Sequence, residues 1–231
     1  MGGLLVAATD TECGKTVLTC ALAAYWQRYC GDRSLGILKP VQSGVGDREL
    51  FQQLFSPQQP LTELGPVWFE APLAPPVAAA LAGQAVDLAP AWQRYVALEK
   101  SCDWVLVEGL GGLGSPVTAE LTIADLAAEW RLPTVLVVPV KLGAIANAVA
   151  NVALARQHQL ETVGIVLNCT TEAVCDRVDE LAPPHLIERL TGVPVLGVLP
   201  HLSNPQDITQ LSDAARQLIL ERIMPAPFWV V

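Results

Sequence analysis

Residues 4–16 constrain what this chain can fold into more than any other stretch. An apolar run, Leu4-Leu5-Val6-Ala7-Ala8, gives way to a turn, Thr9-Asp10-Thr11-Glu12-Cys13, that closes on Gly14-Lys15-Thr16 at the head of a helical stretch. A strand that feeds a short turn into a helix aims several backbone N–H groups at one point and so creates an anion site. A lysine in that turn can reach outer phosphates, and the next hydroxyl can ligate Mg²⁺, which makes Lys15 and Thr16 the candidates for those tasks. The usual pattern carries a glycine five residues before Gly14, where this chain has Thr9. The alternative is a capped strand–helix turn with a chance Gly-Lys-Thr; the order of strand, turn and helix favours the phosphate site.

The rest of the chain repeats the strand-then-helix rhythm. Apolar runs at Leu4–Ala8, Leu35–Pro40, Trp104–Glu108, Thr134–Val140, Val163–Asn168 and Val195–Pro200 lack polar alternation, as do parallel strands covered on both faces. Helical stretches fall at Lys15–Tyr29, Arg48–Phe55, Ala89–Lys100, Ile123–Trp130, Ala144–Gln157, Pro184–Thr191 and Ile208–Ile223. The alternation predicts an α/β fold: a doubly wound, mostly parallel sheet with helices on both faces, like that of P-loop NTPases. No linker or repeat interrupts it, so residues 1–231 are expected to form a single domain. Ser56–Pro76 holds six prolines and reads as an irregular excursion over the sheet, a candidate wall of the site.

Composition narrows the function. The formal net charge of −9 argues against nucleic acid as a general partner. Six cysteines without a C-x-x-C pair argue against zinc or a disulfide framework and fit a reducing cytoplasm. Met1-Gly2-Gly3 leads into the first strand without a basic region, so no signal peptide is expected. The apolar stretch at 134–155 is broken at Lys141-Leu142-Gly143 and reads as strand plus helix, not a membrane span.

Ligands of open α/β sheets bind beyond the carboxyl ends of the strands. Polar residues collect there: Lys39-Pro40-Val41-Gln42-Ser43-Gly44, Glu108-Gly109-Leu110-Gly111-Gly112, Lys141-Leu142-Gly143, Asn168 and Pro200-His201. Glu108 ends four apolar residues in a Walker B arrangement, where its carboxylate can hold Mg²⁺; the bland reading is an exposed glutamate. The glycines after it allow close backbone approach to a ligand. Lys39 needs an anionic partner unless it snorkels to the rim. Asp47 is either a second magnesium carboxylate or a plain N-cap of the following helix.

These blocks together resemble the dethiobiotin synthetase family, in order and spacing from residue 4 to about 210. The resemblance implies that 7,8-diaminononanoate, carbon dioxide (or bicarbonate) and Mg-ATP yield dethiobiotin, ADP and phosphate through a carbamate and a carbamic–phosphoric anhydride. By that resemblance Glu12, Cys13, Gly14, Lys15, Thr16 and Val17 form the phosphate loop, and Thr11 lies near the transferred phosphate. Thr16, Asp47 and Glu108 match magnesium ligands, with Gly109, Leu110 and Gly111 beside the nucleotide. Lys39 matches an essential lysine that acts with Lys15 and Thr11, and Ser43 a substrate contact. Asn168 matches the residue that reads the adenine edge, with Cys169 beside it where the family often has Asp, and Pro200, His201 and Leu202 match the loop beside the base. The family's homodimeric state is expected here, with the substrate's far carboxylate near the subunit boundary.

The chain departs from the family pattern in places. Only three residues separate Ser43 from Asp47, and the usual Ile-Asn pair after Gly143 becomes Ala144-Ile145-Ala146-Asn147. Asn147 or the helix start then becomes the candidate carboxylate contact, although Asn147 and Asn151 share a helical face and suit a structural role equally. The rival reading is a partitioning-type P-loop ATPase acting as a nucleotide-switched binding protein. That class has a lysine early in its phosphate loop; here no lysine precedes Lys15.

Overall fold

A computed structural model describes residues 2–56 and 58–225. The strands in chain order are β1 (Gly3–Ala8), β2 (Leu35–Leu38), β3 (Val41–Ser43), β4 (Val67–Phe69), β5 (Trp104–Glu108), β6 (Thr134–Pro139), β7 (Thr162–Asn168) and β8 (Val195–Leu199). Six of them form a parallel sheet in the order β2-β5-β1-β6-β7-β8. From β1 the chain crosses to β2 at one edge, returns to β5 between the two, and then steps outward through β6, β7 and β8 on the other side, which leaves the phosphate turn at the switch point in mid-sheet.

Eleven α-helices lie among the described residues: α1 (Lys15–Tyr29), α2 (Asp47–Phe55), α3 (Leu61–Leu64), α4 (Pro75–Leu81), α5 (Ala89–Ser101), α6 (Ile123–Glu129), α7 (Ala144–Gln157), α8 (Val178–Leu181), α9 (Pro184–Thr191), α10 (Ile208–Ala215) and α11 (Leu220–Ile223). Strand residues alternate between two helical layers. Leu5, Ala7, Val105, Val107, Leu136 and Val138 pack with α5, α6, α7 and α9. Leu4, Val6, Ala8, Leu106, Val135 and Val137 pack with α1, α10 and α11. Both faces are therefore apolar, which is why these strands show no polar alternation.

Three expectations need correction. The run Leu35–Pro40 is not one strand: β2 stops at Leu38, and Val41–Ser43 pairs with β4 as a separate two-stranded parallel ribbon. The Pro-rich segment is not irregular throughout, since it contains α3, β4 and the first turn of α4. Pro60 sits at the N-cap of α3 and Pro75 opens α4, positions where a missing N–H costs little; Pro57 lies outside the described residues. The expected helix Ile208–Ile223 is broken, because the Ile219 N–H donates to the Leu196 carbonyl at 2.7 Å and draws the chain onto β8. Among the described residues, no helix is long and apolar enough to cross a membrane.

Candidate active site

The turn between β1 and α1 is held by geometry that only glycine supplies. Gly14 caps α1 at φ +91°, and a Cβ there would stand 2.0 Å from Asn168 Nδ2. Asn168 lies this close because its Nδ2 donates to the Cys13 carbonyl at 2.9 Å, which ties the end of β7 to the turn. Lys15 folds back over the turn and donates to Gly111 O at 2.7 Å and Asp10 O at 3.3 Å. Burial, and then the neighbouring Lys39, hold the Lys15 ammonium below its ordinary pKa.

Lys39 leaves the end of β2 and is 2% exposed. Its Nζ lies 2.6 Å from Asp47 Oδ2 and 2.8 Å from Glu108 Oε1, and donates to Gly109 O at 2.8 Å. Lys39 is therefore no rim lysine. Glu108, fully buried at the end of β5, is no exposed glutamate. Asp47 is not the N-cap of α2; Gly46 occupies that position, and the Asp47 carboxylate turns inward. Thr16 Oγ1 donates to Asp47 Oδ1 at 2.9 Å and to Glu108 Oε1 at 3.1 Å. One turn on, Thr19 Oγ1 donates to Glu108 Oε2 at 2.6 Å.

Each charge feels the others. Burial pulls the Lys39 ammonium down, but Glu108 and Asp47 outweigh it and hold the pKa above the ordinary lysine value. Burial pushes Glu108 up, against the pull of Lys39. Asp47 is also pushed up by burial, yet Lys39 and the hydrogen bonds from Lys39 and Thr16 hold it below the usual carboxylate value. Thr16, Asp47 and Glu108 offer a compact set of oxygen donors, which suits a hard divalent cation that keeps waters and phosphate oxygens in its shell. Among the described residues, no three His, Cys, Asp or Glu side chains gather as a closed metal cage.

A cavity of about 770 Å³ opens above this cluster. Thr11, Glu12, Cys13, Gly14, Lys15, Thr16, Lys39, Ser43, Asp47, Leu110 and Gly111 line it, so most of the phosphate and substrate candidates meet in one space. A second cavity of about 220 Å³ adjoins the turn at Glu12 and Gly14 and is lined by Val17, Asn168, Cys169, Pro200, His201 and Leu202, the base-side set. Asn147 lines neither cavity; its carbonyl accepts from Asn151 Nδ2 at 2.9 Å within α7. Sequence reasoning missed Gln42, Ser115 and Pro116 as lining residues; Pro72-Leu73-Ala74-Pro75 form an apolar wall of the cavity, as expected of the proline-rich segment. The proline density of 56–76 carried that expectation. Among the described residues, the buried Ser43 hydroxyl has no hydrogen-bond partner.

Comparison with known proteins places this geometry in context. A family model described as "AAA domain" matches residues 2–208. The protein named ATP-dependent dethiobiotin synthetase BioD from Gloeothece citriformis is 54% identical, over 97% of this chain and 100% of its own length. Its namesake from Crocosphaera subtropica is 51% identical over 96% and 100%. Among solved structures, the MinC:MinD cell division protein complex of Aquifex aeolicus matches with a TM-score of 0.56 at 14% identity, over 99% of this chain and 100% of that one. A ParA family ATPase from Chlorobium tepidum matches at 0.56 and 12%, over 97% and 99%. At such identities the two structures share the fold, and nothing about activity follows from them.

Proposed function

The chain belongs to the ATP-dependent dethiobiotin synthetase family, and from that premise we propose how its site works. The protein is an ATP-dependent ligase of biotin biosynthesis. In the proposed reaction, one amine of 7,8-diaminononanoate takes up carbon dioxide and loses a proton to become a carbamate. A carbamate oxygen attacks the γ-phosphorus of ATP, and ADP leaves. The second amine then attacks the carbonyl carbon of the mixed anhydride; inorganic phosphate departs and the ureido ring closes. No protein nucleophile is required, so the work of the site is positioning and charge stabilisation.

The observation that carries this reading is Lys39. A fully paired ammonium, 2% exposed, reaches a cavity shared with the phosphate turn and the partnerless Ser43 hydroxyl. In this reading Lys39 bridges the carbamate and the transferred phosphate, since two anions must approach each other there. Lys15 and Thr11 attend the outer phosphates, and Ser43 offers its hydroxyl to the substrate. Thr16, Asp47 and Glu108 would hold Mg²⁺, which, when bound, neutralises charge on the phosphates. Asn168, Cys169, Pro200, His201 and Leu202 flank the adenine. The start of α7, with Asn147, is left to the substrate's carboxylate, near the boundary of a proposed homodimer.

The direct test is a product assay with diaminononanoate, bicarbonate and Mg-ATP. Dethiobiotin detected by mass, one per ADP formed, is the expected result. ATP hydrolysis stimulated by DNA or by lipid vesicles, with no dethiobiotin, would instead favour a nucleotide-switched binding protein.

A further inference from the structure

The loop that joins Ser43 to Asp47 is tied to β4 at its first residue, where the Gly44 N–H donates to Phe69 O at 2.8 Å, but its next two residues bring no side-chain anchor of their own. Gly44 sits at φ +77°, Val45 is 80% exposed, and Gly46 carries no side chain. Yet Ser43 lines the cavity at one end of this loop, and Asp47 reaches Thr16 and Lys39 at the other. A cluster of side chains around Glu49 supplies further anchorage. Glu49 Oε2 accepts from the Gly46 N–H and from Gln42 Nε2, both at 2.8 Å, and Glu49 Oε1 accepts from Arg48 Nε at 2.7 Å. Gln42 Oε1 accepts from the Arg48 N–H at 2.9 Å, so its two ends join β3 to the first turn of α2. The Arg48 guanidinium lies over the Trp68 ring at 4.7 Å, and Trp68 Nε1 donates to Gly44 O at 2.7 Å.

We propose that Glu49 is a positioning residue for the ligase reaction: its carboxylate, with Gln42, Arg48 and Trp68, clamps the loop so that Ser43 and Asp47 face the cavity in register. The proposal rests on the reading above, in which Asp47 faces the metal and Ser43 the substrate. The clamp consists of donors converging on one acceptor group. Three N–H donors point at the two oxygens of Glu49, so a carboxylate fits, while a carboxamide would turn its own NH₂ towards at least one of them. Glu49→Gln thus opposes the clamp with almost no change in volume. Trp68→Phe removes only the Nε1 donor to Gly44 and keeps a ring beneath Arg48.

The experiment compares wild type, Glu49→Gln, Trp68→Phe and Asp47→Asn. Calorimetry measures ADP affinity with and without Mg²⁺, and kinetics measures the diamine KM and the Mg²⁺ needed for half-maximal rate. If the clamp works as proposed, Glu49→Gln loses about tenfold of the Mg²⁺-dependent gain in ADP affinity, on the scale of one hydrogen bond to a charged group. ADP affinity without Mg²⁺ stays unchanged, and excess Mg²⁺ restores part of the rate, which a merely structural defect would not allow. The diamine KM rises as well, because Ser43 shares the loop. Trp68→Phe shifts the same quantities by a smaller factor, and provides the readout should Glu49→Gln melt early. If Asp47→Asn abolishes the Mg²⁺ gain while Glu49→Gln and Trp68→Phe keep it, the clamp is refuted and the site reading stands. If Asp47→Asn also keeps it, the site reading falls and takes the clamp with it.

Discussion

Burying an ammonium at 2% exposure costs several kcal/mol unless anions offset it, and Lys39 has two within 2.8 Å. That need for anions was legible in the sequence as a lysine at the end of an apolar strand. Its partners were less so, since Asp47 reads as well as a helix cap as an ion-pair acceptor. Thr19 was not legible, because a threonine inside a helix looks ordinary until the helix is set against β5. Lys39→Gln is expected to lower kcat about a hundredfold or more, as for other groups that stabilise developing charge, while ATP affinity stays near wild type. Turnover within about threefold, roughly 0.7 kcal/mol, would remove Lys39 from the chemistry. Gly14→Ala is expected to be equally severe for a different reason. It strains the left-handed cap and drives a methyl group into the Asn168 amide, so calorimetry should show nucleotide affinity falling steeply even without Mg²⁺.

Long apolar runs fixed the sheet strands to within a residue or two, because burial on both faces leaves an unmistakable pattern. The β3–β4 ribbon escaped notice because its pairing joins two three-residue strands, one inside the proline-rich segment. No periodicity develops over three residues. Strand β6 is fed by α6, whose N-terminus carries a reciprocal cap: Thr122 Oγ1 accepts from the Asp125 N–H at 3.3 Å, and Asp125 Oδ2 accepts from the Thr122 N–H at 2.7 Å. Thr122→Ala should cost about 1 kcal/mol, or a fall of about 2–4 °C in Tm for a chain of this size. The hydrogen bonds from Thr122 are the main cause that holds the Asp125 carboxyl below its ordinary value, with His158 adding to them. A carboxyl depressed in the folded state contributes stability that is present above the unfolded pKa, about 3.9, and is lost as the pH falls through the lower folded value. The Tm difference between wild type and Asp125→Asn should therefore be constant near neutrality and shrink on acidification below about pH 4. A difference that grew on acidification would assign the effect to another group.

One sheet with a helical layer on each face gives both cores a shared middle, so calorimetry should record a single unfolding transition across residues 1–231. Two resolved transitions would mean two domains. Nucleotide bound to the folded state alone should add about 2.7 kcal/mol at a hundredfold excess over Kd, and Mg²⁺ should increase the gain for wild type but not for Asp47→Asn. The quartet Lys15, Lys39, Asp47 and Glu108 has a further consequence at this scale. Two cations beside two carboxylates cancel, and Glu12 on the same cavity adds a negative charge, so viewed from a distance the binding pocket offers no positive field. What an incoming MgATP anion meets first is the acidic exterior of a molecule carrying −9. Capture should thus proceed against a long-range repulsion, and stopped-flow association should accelerate as salt shortens the screening length from about 30 Å at 0.01 M to about 8 Å at 0.15 M. This enzyme would then bind its anionic nucleotide faster in brine than in dilute buffer, the opposite of a protein that steers its ligand in.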